Sequence, residues 1–128
     1  MMEITDELIA RLLGEAALNP RLRVNVDLRN SASDASQRML NALLPGTKVD
    51  IHRHPMSSES VVCLSGCLDE VLYDGTGKET GRIRLCPAEG KYGCQIQPGV
   101  WHTVEVYVPS VIIEAKDGRY GEDGSEKL

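Results

Sequence analysis

The chain of 128 residues contains three histidines, and their spacing relative to one glutamate is typical of a metal site. His52 and His54 are separated by one residue, Glu59 follows five residues later, and His102 comes much further along. Successive side chains of a strand point to opposite faces, so a strand here would direct both His52 and His54 to one side. Imidazole nitrogens and a carboxylate oxygen are common ligands of divalent transition metals.

The intervening segments predict how these side chains meet. Residues 55–58 form a short turn, so Glu59 would open an antiparallel strand level with the two histidines. His102 follows the turn at 97–99 and begins a strand that a jelly roll would fold over the first sheet. We therefore predict one divalent ion, Fe, Mn, Zn or Ni, with open coordination positions and four protein ligands: His52, His54, Glu59 and His102.

Short runs rich in β-branched residues dominate the chain from Thr47 onward. They are separated by Gly, Pro, Asp and Ser, including Ser65-Gly66 and Pro109-Ser110, which we interpret as turns. With no helices between them, the runs predict an all-β, single-domain, antiparallel jelly-roll barrel. The predicted strands cover 47–54, 59–65, 67–73, 81–86, 93–97, 101–108 and 111–116.

The first third of the chain predicts one or two short helices and an edge strand. Thr5 would cap a helix whose apolar residues recur at helical spacing until Asn19-Pro20 ends it. A second short helix is predicted over 35–44, and an added strand over 23–28. We expect an amino-terminal segment (1–45) packed on the barrel (46–118) and a flexible tail (119–128), within one domain overall.

Composition narrows the function classes. The net charge is −5 and no long Lys/Arg run occurs, which disfavours nucleic acid as a partner. The first residues carry acidic side chains, and no apolar stretch approaches the roughly 20 residues of a membrane span, so we expect a cytoplasmic protein without a membrane partner. The four cysteines lack Cys-X-X-Cys spacing, and we interpret them as small buried hydrophobes.

The ligand spacing resembles the first motif of the cupin superfamily. That motif has Gly, five residues, His-X-His, three or four residues, Glu, six residues and Gly, and Gly46 and Gly66 complete it around the ligands. The second motif is matched in part: Gly99 and His102 keep its Gly-X-X-His spacing, while other residues replace its remaining Gly, Pro and Asn (Lys91, Gln97 and Val106). The resemblance implies a cupin barrel that binds a metal.

A finer resemblance is to WbuC-type cupin-fold metalloproteins, small bacterial proteins often associated with polysaccharide gene clusters. It extends from the first helix to about Gly118 and includes the segments 19–25, 37–43, 52–55 and 98–103. Arg29 and Ser57 depart from the pattern, standing where a His and a Lys are expected. The resemblance implies a fold and a metal rather than a particular reaction.

Further polar and aromatic residues are candidates for a substrate pocket beside the metal. Four polar residues of the amino-terminal segment have two possible roles: they hold this segment against the barrel, or they form an anion-binding wall at the pocket mouth. Tyr73 is either a proton-transfer group or a strand-end residue, and Trp101 either packs over the rim or stacks on substrate. The four polar residues are Arg23, Asn25, Arg38 and Asn41.

Three functions fit these observations. The first is a metal-dependent enzyme, an oxygenase or an isomerase or lyase, acting on a small polar metabolite that is carbohydrate-related by resemblance alone. The second is a non-catalytic metallo-cupin that binds a small ligand as a sensor or accessory protein, favoured by the lack of an obvious dedicated base. The third is a metal-free sugar-binding cupin, which the absence of a spare His disfavours. No catalytic residue is assigned, and we expect a homodimer.

Overall fold

A computed structural model describes residues 1–122 and 124–128. One helix and one 3-10 turn accompany eight strands in this part of the chain. Among the described residues, no helix is long and apolar enough to cross a membrane. The elements are α1 (Asp6–Leu18), β1 (Arg23–Asp27), β2 (Ser36–Leu43), β3 (His52–Arg53), β4 (Glu59–Tyr73), β5 (Glu79–Leu85), the 3-10 turn (Pro87–Glu89), β6 (Gly93–Ile96), β7 (Trp101–Asp117) and β8 (Glu126–Lys127).

The strands pair antiparallel throughout and enclose one interior, which confirms the predicted all-β barrel. Its first sheet path runs β1-β2-β7-β3-β8, while β4 pairs with β5, β6 and β7. β4 and β7 lie side by side over nearly their whole length, so these two long strands connect both halves of the barrel.

The prediction that turns at Ser65-Gly66 and Pro109-Ser110 separate successive strands is wrong. β4 and β7 each continue through them, and the register shifts on both sides of Ser65 instead. Such bulges let a strand bend from one sheet into another without ending. Gly66 has φ +107, and a Cβ there would lie 2.6 Å from Pro109 O, so the close strand crossing requires glycine.

The helix predicted over 35–44 is also wrong, because this segment forms β2. Leu40 and Ala42 face α1, while Asn41 and Leu43 face the barrel interior. Since both faces of β2 are covered, apolar residues occur on both, and the alternation that marks a half-exposed strand is lost. Tertiary packing here overrides the helical propensity of Met, Leu and Ala.

The helix predicted after Thr5 is confirmed. The Thr5 hydroxyl accepts a hydrogen bond from Leu8 N at 3.2 Å, and the helix ends at Leu18, before Asn19-Pro20. α1 buries one apolar stripe on the outer face of β1 and β2, forming an outer cluster with Leu8, Leu12, Ala16, Leu40, Ala42 and Val111.

A second apolar cluster fills one end of the barrel interior. This inner core consists of Leu43, Val61, Cys63, Leu68, Leu85, Val106 and Ile112.

The carboxyl-terminal segment, predicted as a flexible tail, contains β8, which pairs with β3. Leu128 N donates to Ile51 O at 2.9 Å. The pairing places the end of the chain beside His52.

Candidate metal centre

The structure brings His52, His54, Glu59 and His102 together inside the barrel. One donor atom from each lies within 4.8 Å of the others. β3 and β7 set His52 directly opposite His102, and Glu59 opens β4 as the spacing predicts. Glu59 Oε2 lies 3.3 Å from both His54 Nε2 and His102 Nε2. Adjacent ligands at about 2.0 to 2.1 Å from one ion are separated by roughly 3.0 to 3.4 Å, so the donors fit a divalent metal.

The outer nitrogens of the rings are held by neighbouring groups. Nδ1 of His52 lies 2.8 Å from Asp50 O, and Nδ1 of His102 lies 2.9 Å from Val100 O. A carbonyl only accepts hydrogen bonds, so these contacts place the proton on Nδ1 and leave Nε2 with a lone pair for a metal. His54 Nδ1 contacts Ser125 Oγ at 2.7 Å and Lys116 Nζ at 3.3 Å.

The pKa values of Glu59, His52 and His102 are each shifted by burial and by the charges of the other side chains in the site. Burial opposes ionisation of Glu59, but hydrogen bonds with His102 and His54 hold its pKa well below the usual value. Burial and the nearby His102 lower the pKa of His52. Burial also opposes the charge on His102, yet its hydrogen bond with Glu59 raises its pKa. A divalent cation at the site would take the place of protonated His102 as the positive partner of Glu59.

A cavity of about 150 Å³ opens beside these ligands. Its polar wall is formed by Arg23, Asn41, Glu70 and Glu114, and its apolar wall by Leu43, Val49 and Val104. Asn41 Nδ2 donates to Glu114 Oε1 at 2.9 Å. Burial, followed by the charge of Glu59, raises the pKa of Glu114 well above its usual value.

Glu70 is the most unusual group in the cavity. It projects from β4, opposite Val104, and is only 2% exposed. Among the described residues, its Oε2 has no hydrogen-bond partner. Burial, followed by the charge of Glu59, raises its pKa to about 8. A buried carboxyl that is protonated near neutral pH can donate or accept a proton at a ligand in the cavity.

The residues predicted for a substrate pocket lie in three different places. Arg23 and Asn41 line the metal cavity, whereas Asn25 and Arg38 line a neighbouring cavity of about 240 Å³. Tyr73 and Trp101 face each other across β4 and β7 outside both cavities, and Arg53 stacks on the Trp101 ring at 4.4 Å.

Several of these side chains make structural contacts. Arg23 Nη1 donates to Lys48 O at 2.6 Å and to Thr47 Oγ1 at 3.3 Å, which anchors the loop before β3. Arg38 Nη2 donates to Leu28 O at 3.1 Å and pairs with Asp34 at 3.2 Å, so it ties together the connection between β1 and β2.

Sequence reasoning missed Glu70 and Glu114. Each is an acidic residue in a strand that also carries exposed acidic or polar residues, so residue type alone does not distinguish it from a surface carboxylate. Their positions follow from strand phase, because Glu70 shares a face with the core residue Leu68 and Glu114 shares one with Ile112. Carrying that alternation through β4 and β7 would have identified both as inward-facing.

Solved structures with the same fold include a capsular polysaccharide assembling protein and two enzymes named for oxalate. The capsular polysaccharide assembling protein CapF from Staphylococcus aureus has a TM-score of 0.66 at 18% identity, covering 81% of this chain and 31% of CapF. Oxalate oxidase in complex with the substrate analogue glycolate has a TM-score of 0.63 at 13% identity, covering 86% of this chain and 57% of the oxidase. Oxalate decarboxylase from Bacillus subtilis has a TM-score of 0.61 at 16% identity, covering 83% and 27%. The chain thus spans about a third of CapF, and the likeness shows the fold.

No curated protein matches the chain in sequence. The structural neighbours, the antiparallel barrel and the three-histidine, one-glutamate site together confirm the cupin fold inferred from the motif. A family model matches residues 4–85, which include the first helix, the His-X-His pair, Glu59 and Glu70. The chain therefore belongs to the family described as a domain of unknown function, DUF6016.

Proposed function

We propose that this protein is a metal-dependent cupin enzyme that acts on a small, polar, carbohydrate-related metabolite. The observation that carries the proposal is a cluster of three imidazoles and one carboxylate beside a cavity of about 150 Å³ that the buried Glu70 also lines. The cavity volume suits a small metabolite rather than a polymer. The resemblance to WbuC-type proteins and the fold shared with CapF support a link to polysaccharide metabolism.

The chain's own residues supply the other parts of such a site. A divalent metal held by the four ligands would polarise an oxygen atom of the substrate. Glu70 would hold or move a proton at that substrate, since it lines the cavity and its Oε2 has no hydrogen-bond partner among the described residues. Asn41 and Glu114 would orient hydroxyl groups, and the apolar wall would exclude water.

Glu70 favours an enzyme over a non-catalytic sensor. The sequence showed no dedicated base, and that absence favoured the sensor. A metal ligand set alone would serve either role, but a carboxyl that is 2% exposed and has one oxygen without a partner among the described residues is costly to retain. A role in proton transfer to a bound substrate would explain why a buried carboxyl is kept at this position despite its free-energy cost.

We also propose a cytoplasmic homodimer containing iron, manganese, zinc or nickel. Four free cysteines in the described structure are consistent with a reducing compartment. The ligand set suits any of these metals because it determines coordination geometry more strongly than metal identity.

Elemental analysis tests the metal site. Protein purified without chelator should contain close to one divalent ion per chain, and His102→Ala should contain less than about 0.2. Tyr92→Ala is a matched control, since it also replaces a ring with alanine, but Tyr92 is 62% exposed and is not one of the four clustered residues. Equal metal content in His102→Ala and the control would refute the site.

Turnover assays test the catalytic role. The metal-loaded protein would be incubated with aldoses, keto acids and nucleotide sugars while product formation and oxygen consumption are measured. For a substrate that is turned over, Glu70→Gln should lower kcat by about 10² to 10⁴ while metal content stays unchanged. Saturable ligand binding without turnover across the panel would instead support the sensor.

A further inference from the structure

A second cluster of reactive side chains lies outside the metal cavity. It contains Cys67, Cys86 and Glu89, whose sulfur and carboxylate atoms lie within 4.8 Å of one another. The β4–β5 ladder ends with Leu68 opposite Leu85, and Cys67 and Cys86 each lie one residue beyond this last pair. The two cysteines are therefore cross-strand neighbours at the end of the β4–β5 ladder.

The backbone hydrogen bonds define the type of this pair. Cys86 N donates to Lys91 O at 2.6 Å, and Lys91 N donates to Cys86 O at 3.2 Å. Cys67 N donates to Ser110 Oγ at 3.0 Å. Both cysteines thus direct their backbone groups away from each other, as in a non-hydrogen-bonded antiparallel pair. Cα atoms in such pairs are about 4.5 Å apart, which lies within the range that a disulfide bridges.

Charges around the sulfurs favour bond formation over cation binding. Arg84 Nη1 lies 3.7 Å from Cys67 Sγ and 3.4 Å from Glu89 Oε2. Lys91 Nζ also approaches Glu89, at 4.0 Å. Arg84 and Lys91 already pair with Glu89, which is the only carboxylate of the cluster. Their positive charges would repel a metal ion bound there.

The two thiols differ in environment. Cys86 is 6% exposed, whereas Cys67 is half-buried and touches the Arg84 guanidinium. A hydrogen bond with Cys67 raises the pKa of Cys86 to about 11. This arrangement makes Cys67 the sulfur that attacks first and Cys86 the one that resolves.

We propose that Cys67 and Cys86 form a redox-active dithiol that a low-molecular-weight disulfide converts reversibly to an intramolecular disulfide. The Cys67 thiolate attacks one sulfur of the reagent, and the reagent's other half leaves as a thiolate. Cys86 then loses its proton and displaces the second half, which forms the Cys67–Cys86 bond. In total two protein thiols lose two electrons and two protons, and the reagent disulfide becomes two thiols.

Peptide mapping under non-reducing conditions tests the proposal. The full chain would be incubated with oxidised glutathione, alkylated and digested. A Cys67–Cys86 linked peptide is expected, with titratable thiols under denaturing conditions falling from four to two and returning after reduction. Cys94→Ser, which removes a cysteine outside the pair, should give the same linked peptide.

Cys86→Ser separates the two steps. Without the resolving thiol, Cys67 should retain one glutathione, whereas the wild-type chain should not. Wild-type chains that retain glutathione on Cys67, or that link to one another through it, would overturn the proposal. So would a second zinc ion per chain that blocks oxidation and is lost in Glu89→Gln, because the cluster would then be a metal site.

Discussion

The two ends of the barrel interior are built from the same strands but differ in chemistry. β4 contributes Val61 and Leu68 to the inner core, and Glu59 and Glu70 to the metal cavity. β7 likewise contributes Ile112 to the core, and His102 and Glu114 to the cavity. The core end gains free energy by burying apolar surface, while the cavity end pays a desolvation cost until its charges are matched. One end holds the fold and the other needs a ligand.

This contrast can be tested through the free energy of unfolding, measured with and without metal. A substitution in the core should change both values equally. A substitution of a metal ligand should change mainly the difference between them, since the metal binds the folded state.

Leu68→Ala should have the largest effect. Leu68 is 0% exposed at the centre of the inner core, and removing its side chain leaves a cavity that the surrounding strands only partly fill. We expect a loss of about 4 kcal/mol in the free energy of unfolding, measured by urea denaturation. The loss should be the same in chelator and in excess metal. A loss that appears only with metal would show that the two ends are not independent.

Metal addition should stabilise the wild-type chain by about 2.7 kcal/mol at a free concentration 100 times the Kd. His102→Ala should abolish this gain while its metal-free form stays folded, because the inner core does not include His102. Val62→Ala is a control, since Val62 is 43% exposed on β4. Unfolding of metal-free His102→Ala would mean that the site, and not only the core, holds the barrel together.

The spacing predicted which four side chains cluster better than it predicted the wall around them. His52, His54 and Glu59 are close in sequence, so strand alternation and one short turn are enough to bring them together. His102 required the fold, which the motif supplied. Glu70 lies two residues after the core residue Leu68 on β4, so its inward orientation follows from strand alternation only once Leu68 is known to face the core.

Misassigned elements had a related cause. β2 was predicted as a helix because contacts on both of its faces suppress alternation. The pairing of β8 depends on contacts with residues more than seventy positions earlier, such as Arg53 with Glu126. The local sequence of a polar segment does not indicate which distant strand it pairs with.

Glu70→Gln should reveal the cost of the cavity end through pH. The pKa of Glu70 is raised from 4.5 to about 8, so between these values the folded state holds a proton that the unfolded state has lost. Stability of the metal-free wild type should therefore fall as pH rises from 5 to 9, and glutamine removes this contribution. We expect the stability of Glu70→Gln relative to wild type to rise by up to about 1.4 kcal/mol for each pH unit between the two pKa values.

Chemical denaturation at pH 5, 7 and 9 in the presence of chelator measures this difference. Glu3→Gln is the control, because Glu3 is exposed near the start of the chain. Parallel stability profiles for Glu70→Gln and wild type would show that the carboxyl finds a partner in solution.

Ser125→Ala should have the smallest effect and tests how the end of the chain supports the site. Ser125 Oγ lies 2.7 Å from Nδ1 of His54, and β8 holds this segment beside β3. Removing the hydroxyl should loosen the orientation of one ligand, and loss of such a partner costs roughly 10-fold in metal affinity. Competition with a chromophoric chelator measures this, and Ser60→Ala, on an exposed position of β4, is the control. Unchanged affinity in Ser125→Ala would limit the metal centre to the barrel strands, because the carboxyl-terminal segment would then contribute nothing to the ligand that it contacts.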